Sequence, residues 1–331
     1  MKLQRSVFFL FFLVVFANQI LFAEEPSWEV LYERAGQYLN EGKYEAGIQV
    51  ARKALKVAES SPSPQDLQIS GSLKMLVHYY MLQGKFKEAE PYVQRALTLA
   101  KDDANMLNTL AIIYTEEGRF DEAEKIAMRA VHLSDRNFGE HNSATAESLS
   151  TLAGVYRTQG KYLQAQPYFE KALRIWKDEL GSEHPNVILA MGNVGAVYAA
   201  LGKYEEADEL LRRVLLTHKS VLPKNHPVLA LSLREMGKLE LRRGNFNSAE
   251  SYLEQALEIQ KDTLGSQHPE VAATSARLGL LHRQQKNFKK AESFYKDALE
   301  IFEKTYGRDN PYTQDVQKEM KLLDEERKIS A

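Results

Sequence analysis

The chain has 331 residues, no cysteine, a formal net charge of −2 and 27% charged residues. The absence of cysteine excludes disulfides, thiolate catalysis and a lipid-modified cysteine. The balanced charge argues against a nucleic-acid partner, because proteins that bind nucleic acids carry a strongly basic balance or stripe.

The first 23 residues have the layout of a secretory signal peptide. Lys2 and Arg5 precede an apolar run over residues 7–17, and Ala23 precedes the first polar stretch. The apolar run is shorter than a membrane span, which favours a signal peptide over a transmembrane helix. We therefore expect export, to a bacterial periplasm or an extracellular space. Export without disulfides fits a bacterial envelope better.

The cleavage point of this segment has two candidates. Cleavage after Ala23 is the first, although Leu21 stands where a small residue is usual. Cleavage after Ala17 is the second, and retention of the segment as an N-terminal anchor is the remaining alternative. Removal of residues 1–23 takes away two cations and no acid, so the net charge changes from −2 to −4.

A glycine recurs every 42 residues along the rest of the chain, with one shorter step of 34 residues. Most copies continue with Lys or Arg and then an aromatic residue, as in Gly160-Lys161-Tyr162. A seventh copy, Lys286-Asn287-Phe288, has lost the glycine. A period of this length predicts a solenoid of repeated units. The six glycines are Gly42, Gly84, Gly118, Gly160, Gly202 and Gly244.

Each unit is predicted to be a helix, a tight turn and a second helix. Around Gly160, apolar residues recur at intervals of three and four on both sides of the turn. They are Leu149, Leu152, Ala153 and Tyr156 before it, and Ala165, Phe169, Ala172, Leu173 and Trp176 after it. Gly160 itself supplies the left-handed backbone conformation that ends the first helix.

Small residues recur at fixed positions in the units. Ala or Gly stands seven positions before most of the turns, and Ala stands five and twelve positions after them, as at Ala153, Ala165 and Ala172. Two antiparallel helices approach closely only where the side chains are small, so these positions predict the helix crossings. Tyrosines four positions before the turns, such as Tyr156, are predicted to fill the space between units. We interpret these stripes as hydrophobic core.

A His-Pro pair precedes three of the predicted first helices, at His184-Pro185, His226-Pro227 and His268-Pro269. In the fourth unit, Asn142-Ser143 takes its place. Proline fits the first helical turn, so each histidine is predicted to lie just outside a helix start. Histidines in successive units cannot converge on one ion, and no second ligand stands at coordinating spacing. We therefore expect no metal and no cofactor.

These motifs resemble the tetratricopeptide repeat. The consensus of that repeat is matched by Leu152-Ala153, Tyr156, Gly160, Ala165, Phe169 and Ala172. The 42-residue period with His-Pro loops is similar to the repeats of kinesin light chains. The resemblance implies an all-α fold, a right-handed α-α superhelix of about seven repeats. Their expected bounds are 27–60, 69–101, 103–136, 145–178, 187–220, 229–262 and 271–304.

A final helix is predicted over residues 311–329. Its apolar residues form one stripe, Tyr312, Val316, Met320 and Leu323, and the remainder is polar. Solenoids need a terminal element with one dry and one wet face for solubility, so we expect this helix to cap the last repeat. A partner-binding amphipathic tail is the alternative.

The resemblance also implies that the first helix of each unit lines a concave groove. In the sixth unit, three cations stand ten, six and two positions before the turn glycine: Arg234, Lys238 and Arg242. The other candidates for peptide binding are Arg157, Arg277, Arg283, Asn108 and Asn193. Guanidinium groups bind carboxylates through paired hydrogen bonds, so we predict that the groove binds an acidic or carboxylate-bearing protein segment. Ordinary solvated charges are the alternative.

Three classes of function remain at this point. The first is a non-catalytic scaffold or adaptor for protein–protein interaction, and the second is a structural or assembly component of a cell-envelope or secretion complex. The oligomeric state, which would separate these two, is left open by the sequence. An enzyme is disfavoured, because the chain lacks a phosphate-binding glycine loop, His-Glu-x-x-His and Gly-x-Ser-x-Gly, and because its polar groups are expected on an open surface.

Overall fold

The computed structural model describes residues 26–61 and 66–330, which form 15 α-helices and no strand. The predicted signal peptide lies outside the described residues. The helices are α1 Trp28–Asn40, α2 Tyr44–Ser60, α3 Asp66–Leu82, α4 Phe86–Leu99, α5 Ala104–Glu116, α6 Phe120–Phe138, α7 Ser143–Thr158, α8 Tyr162–Leu180, α9 Pro185–Ala200, α10 Tyr204–Val221, α11 Pro227–Arg243, α12 Phe246–Leu264, α13 Pro269–Gln284, α14 Phe288–Tyr306 and α15 Pro311–Ser330.

Helix α1 pairs with α2, and within residues 80–330 the sequence-predicted pairs α5–α6, α7–α8, α9–α10, α11–α12 and α13–α14 form, in an all-α helical-repeat fold. Each observed pair begins and ends within three residues of the predicted repeat. From the fourth repeat on, every pair begins two residues earlier than predicted, because the residue that follows the capping His or Asn is already helical. Two compact units are present, one ending at Tyr79 and one beginning at Tyr80.

The turn glycines adopt the left-handed conformation that the sequence predicts, with φ between +66° and +79° in all six. The following residue closes each turn, as where the Lys161 N–H donates to the Tyr156 carbonyl at 2.9 Å. In the seventh repeat, Lys286 takes this place with φ +61°. It is the one non-glycine residue with positive φ among residues 26–61 and 66–330.

In the compact unit that ends at Tyr79, helix α2 packs closely against the end of α3. The Tyr79 hydroxyl donates a hydrogen bond to the Ala35 carbonyl, and its ring lies where a Cβ on Gly47 would project. The sequence places alanine at this position in the later repeats, so the tyrosine explains the exception. Nearby, Trp28 Nε1 donates to Ser72 Oγ at 2.8 Å and joins α1 to α3.

In the compact unit that begins at Tyr80, the glycines seven positions before the turns lie at helix crossings. A Cβ added to Gly195 would come within 2.8 Å of Leu211, and one on Gly279 within 2.6 Å of Tyr295. Such distances are shorter than normal carbon–carbon contacts, so in the fifth and seventh repeats a larger side chain would fit only if its neighbour moved. The prediction that small residues mark these crossings is confirmed.

The polar residue before the first helix of the fourth to seventh repeats is a helix cap. His184 Nδ1 accepts from the Asn186 N–H at 3.2 Å, and His226 and His268 cap their helices in the same way. Asn142 performs this function in the fourth repeat, where its Oδ1 accepts from the Ala144 N–H at 2.9 Å. These contacts satisfy main-chain donors that have no partner inside the helix.

Helix α15 packs on the last repeat. Val316 and Leu323 are buried against the core of α13 and α14, beside the partly buried Tyr312 and Met320.

Among residues 26–61 and 66–330, no helix is both long and apolar enough to cross a bilayer.

Candidate functional site

The inner surface of residues 80–330 contains a cavity of about 460 Å³ that is lined from five repeats and from α15. We call it the interior pocket and define it by Glu116, Arg157, Arg234, Glu235, Lys238, Arg242, Glu270, Arg277, Tyr306 and Tyr312. It brings together five of the six cations that the sequence singled out, with Arg157 of the fourth repeat beside Arg234, Lys238 and Arg242 of the sixth. Arg277 of the seventh repeat completes the set.

Arg234 is paired inside the protein. Its Nη1 forms an ion pair and hydrogen bond with Glu270 Oε2, and its Nε lies 4.0 Å from Glu235 Oε1. Burial disfavours the charged guanidinium, but the two carboxylates outweigh this and raise the pKa of Arg234. The Arg234 charge is therefore largely neutralised by the chain itself.

Lys238 is also paired, with Glu235 on the same helix, at 2.8 Å between Nζ and Oε2. Burial lowers the pKa of Lys238 to about 8, and Arg277, Arg157 and Arg234 act in the same direction. Burial alone would raise the pKa of Glu235, but Lys238, Arg234 and Arg157 together lower it to about 2. Glu235 is therefore held in its ionised form between these cations.

Three guanidinium groups of the pocket form no ion pair in the described part of the chain: Arg157, Arg242 and Arg277. The Nε of Arg157 is buried and has no hydrogen-bond acceptor, whereas Arg242 and Arg277 are exposed. A buried donor without a partner is costly, so the Arg157 guanidinium is a place where an added acceptor would be favourable.

Glu116 also lines the pocket, at the end of α5. It accepts a hydrogen bond from the Tyr306 hydroxyl at 3.3 Å. Burial and the nearby Glu270 raise the pKa of Glu116 to about 7, against the opposing effects of Tyr306, Arg157 and Arg234. Burial also raises the pKa of Tyr306 and of Tyr312, so both hydroxyls stay protonated.

The remaining candidates occupy other positions, which corrects the groove assignment for two of them. Asn108 is only 3% exposed and donates from Nδ2 to Ser148 Oγ at 3.1 Å, so it ties α5 to α7 inside the core. Arg283 binds the cap helix, with Glu319 at 3.1 Å and Glu326 at 2.5 Å. Both residues lie on first helices, as predicted, but their side chains contact neighbouring helices and not the groove.

Asn193 lies in a second, adjoining cavity of about 440 Å³ in the middle of the array. Ser150 and Thr151 line the same cavity, as do Ile112 and Leu189, which are 40% and 57% exposed. This middle pocket shares Glu116, Arg157 and Thr158 with the interior pocket, so the two form one continuous surface.

The interior pocket is closed on one side by contacts between residues far apart in sequence. We call this the closing seam. Phe86 stacks on Tyr306 with ring centroids 6.2 Å apart, and Asn310 Nδ2 donates to the Glu116 carbonyl at 2.7 Å. The turn glycines Gly84 and Gly118 are the other contacts, against Pro269 and Pro311 respectively. The expectation of an open inner surface is therefore wrong for this part of the chain.

Sequence reasoning missed the acidic and aromatic half of the pocket. Glu235 had a usable signal, because it stands three residues before Lys238 on one helix. Glu116, Glu270, Tyr306 and Tyr312 had none, since their meeting depends on the curvature of the whole unit. In the described part of the chain, no three His, Asp or Glu side chains converge as metal ligands.

A sequence profile of the tetratricopeptide repeat matches residues 102–174, 146–216 and 225–304, and a second profile of that repeat matches 72–107. Together these cover more than half of the chain. The chain belongs to the tetratricopeptide repeat family. Such repeats mediate protein–protein interactions, and their fold is typical of non-catalytic scaffolds. No curated protein matches the chain at a significant level.

Several solved tetratricopeptide-type structures are similar to this chain. One is the kinesin light chain TPR-like repeats of Podosopora anserina, at 26% identity over 61% of this chain and 95% of that one, with a TM-score of 0.45. A Rap protein complexed with competence and sporulation factor has 15% identity, covers 87% and 80%, and gives a TM-score of 0.60. A tetratricopeptide repeat protein from Parabacteroides merdae has 17% identity, covers 89% and 98%, and gives 0.54. The last two of these likenesses support the fold.

Proposed function

We propose that this tetratricopeptide repeat protein is a non-catalytic scaffold that binds a carboxylate-bearing segment of a partner protein in the interior pocket. The observation that carries the proposal is the set of three guanidinium groups, Arg157, Arg242 and Arg277, that line one cavity without an ion-pair partner in the described residues. A guanidinium offers paired donors to a carboxylate, which makes such a bond strong and directional.

The charges around these groups support the same ligand. Arg234 and Lys238 have carboxylate partners and hold the pocket in shape, while the three unpaired cations leave it with an excess of positive charge. Burial lowers the pKa of Lys238, and Arg277, Arg157 and Arg234 add to that effect. Clustered charge of one sign also raises the rate at which an oppositely charged segment is captured.

The proposed site is testable by charge reversal. We expect Arg242→Glu with Arg277→Glu to weaken binding of an extended, glutamate-containing peptide at least tenfold, and to reduce the dependence of affinity on salt. A matched control, Arg174→Glu with Lys261→Glu, changes the net charge equally on exposed positions outside the pocket. Peptides with zero, two and four glutamates, labelled with fluorescein, measure affinity by anisotropy.

Equal affinity of both double variants, or affinity that does not rise with the number of glutamates, would overturn the proposal.

Size measurement of the purified protein separates a scaffold from an assembly component, because an obligate oligomer favours the second. The proposal also places the protein outside the cytoplasm, on the basis of residues 1–23. Mass spectrometry of the protein from its native fraction should find an N-terminus at Glu24, or at Asn18 after the alternative cleavage.

A further inference from the structure

We propose that the closing seam is a latch. When the turn before α15 separates from the end of α5, the interior pocket opens to solvent. This inference does not rest on the identity of the ligand. It concerns a movement of the repeats themselves, between a closed form seen in the structure and an open form with the seam contacts broken.

The seam consists of a few turn and helix-end residues. On one side it consists of turn residues Gly84 and Gly118 with Phe86 and Glu116, and on the other side of Pro269 and a short segment over 306–311. No helix runs across it. In a repeat array each unit packs mainly on its neighbours, so the seam can separate while every neighbouring pair of helices stays packed.

The centre of the seam holds a carboxyl group, that of Glu116. Glu116 is enclosed there by groups from five other helices, each of which bears on its charge: Arg157 of α7, Arg234 of α11, Glu270 of α13, Tyr306 of α14 and Tyr312 of α15. Glu270 repels an ionised Glu116. Arg234 is not available as an ion-pair partner for Glu116, because it is already paired with Glu270. An ionised Glu116 is therefore poorly accommodated in the closed form and well hydrated in the open one.

The direction of the pH effect follows from this. In the closed form the pKa of Glu116 is about 7, and an exposed carboxyl has the ordinary value of 4.5. A group whose pKa is raised in one form stabilises that form fully below the lower value and loses this contribution as the pH rises through the higher one. The seam is thus expected to be most firmly closed below pH 4.5 and to open increasingly as the pH rises through about 7.

The absence of cysteine in this chain permits a direct measurement. Lys87→Cys and Asp309→Cys place two spin labels on exposed positions on opposite sides of the seam. Electron–electron distance measurement should give one short distance at pH 5.5 and a second, longer population at pH 8.5. A control pair, Lys289→Cys with Asp309→Cys, lies within the last repeat and its turn and should not change.

Two variants complete the test. With Glu116→Gln the side chain is neutral at every pH and keeps an oxygen for Tyr306, so the short distance should persist at pH 8.5. With Tyr306→Ala and Asn310→Ala the long distance should appear already at pH 5.5. A single distance that is the same at both pH values and in all variants would overturn the latch. Because no peptide is added, this result is independent of whether the pocket binds carboxylates.

Discussion

The side-chain amide of Asn310 donates a 2.7 Å hydrogen bond to the main-chain carbonyl of Glu116, across 194 positions of sequence. Glu116 is the last residue of α5, where a helical carbonyl has no acceptor role inside its own helix. The same Asn310 caps α15, because its Oδ1 accepts from the Tyr312 N–H at 2.9 Å. Asn310 thus caps the C-terminal end of α5 and the N-terminal end of α15, and these two helices lie on opposite sides of the closing seam.

This double role predicts an ordered series of stabilities. Asn310→Ala removes both bonds and should lower the free energy of unfolding by about 2 kcal/mol, the sum of a cap and one buried hydrogen bond. Asn310→Asp keeps the capping oxygen and loses only the donor to Glu116, so its loss should come from the seam alone. Urea denaturation measures both, and spin-label distances across the seam should respond to both variants.

The ionisation of Glu116 predicts that the protein is more stable in mild acid than in mild alkali. The stabilisation is complete below pH 4.5 and is lost as the pH rises through about 7. Glu116→Gln should therefore change little at pH 5 and add on the order of 3 kcal/mol at pH 8.5. Denaturation midpoints of both proteins at several pH values check this. Parallel curves for wild type and variant would show that another group is responsible.

Gly47 predicts a loss where helix propensity alone predicts a gain. Gly47→Ala would bring a Cβ into the ring of Tyr79, so we expect a loss of about 1–3 kcal/mol from overpacking. Gly36→Ala, in the neighbouring helix α1 with nothing within 4 Å of the new Cβ, should instead gain about 0.5–1 kcal/mol. Thermal or urea unfolding of the two variants distinguishes steric from propensity effects, because both make the same chemical change.

Lys286 predicts a simple stabilising substitution. It holds a left-handed conformation that costs a residue with a Cβ about 1 kcal/mol, and glycine occupies the corresponding place in the six earlier repeats. Lys286→Gly should therefore raise the free energy of unfolding by up to about 1 kcal/mol. The same change in a helix interior, Glu254→Gly, should lower it by about 1 kcal/mol. A loss at both positions would contradict the argument from backbone conformation.

The sequence was sufficient wherever one local requirement decided the structure. The turn at Gly160 needs a positive φ, the crossing at Gly195 needs a missing side chain, and the helix start at Pro185 needs a cap from His184. Each of these is visible in a few neighbouring residues and is repeated along the chain. Asn108 shows the limit of that reasoning, since its height in the helix was right but its direction, toward Ser148, was set by the packing of the next repeat.

What the sequence by itself determined about this protein is the repeated unit, its helices, turns and caps, and the basic character of one face. Only the tertiary structure decided which of those cations are neutralised and where the inner surface closes. The physical reason is that a small rotation between each repeat and the next accumulates along the array. That sum brings Asn310 to Glu116, whereas the packing of the sixth repeat on the seventh pairs Arg234 with Glu270.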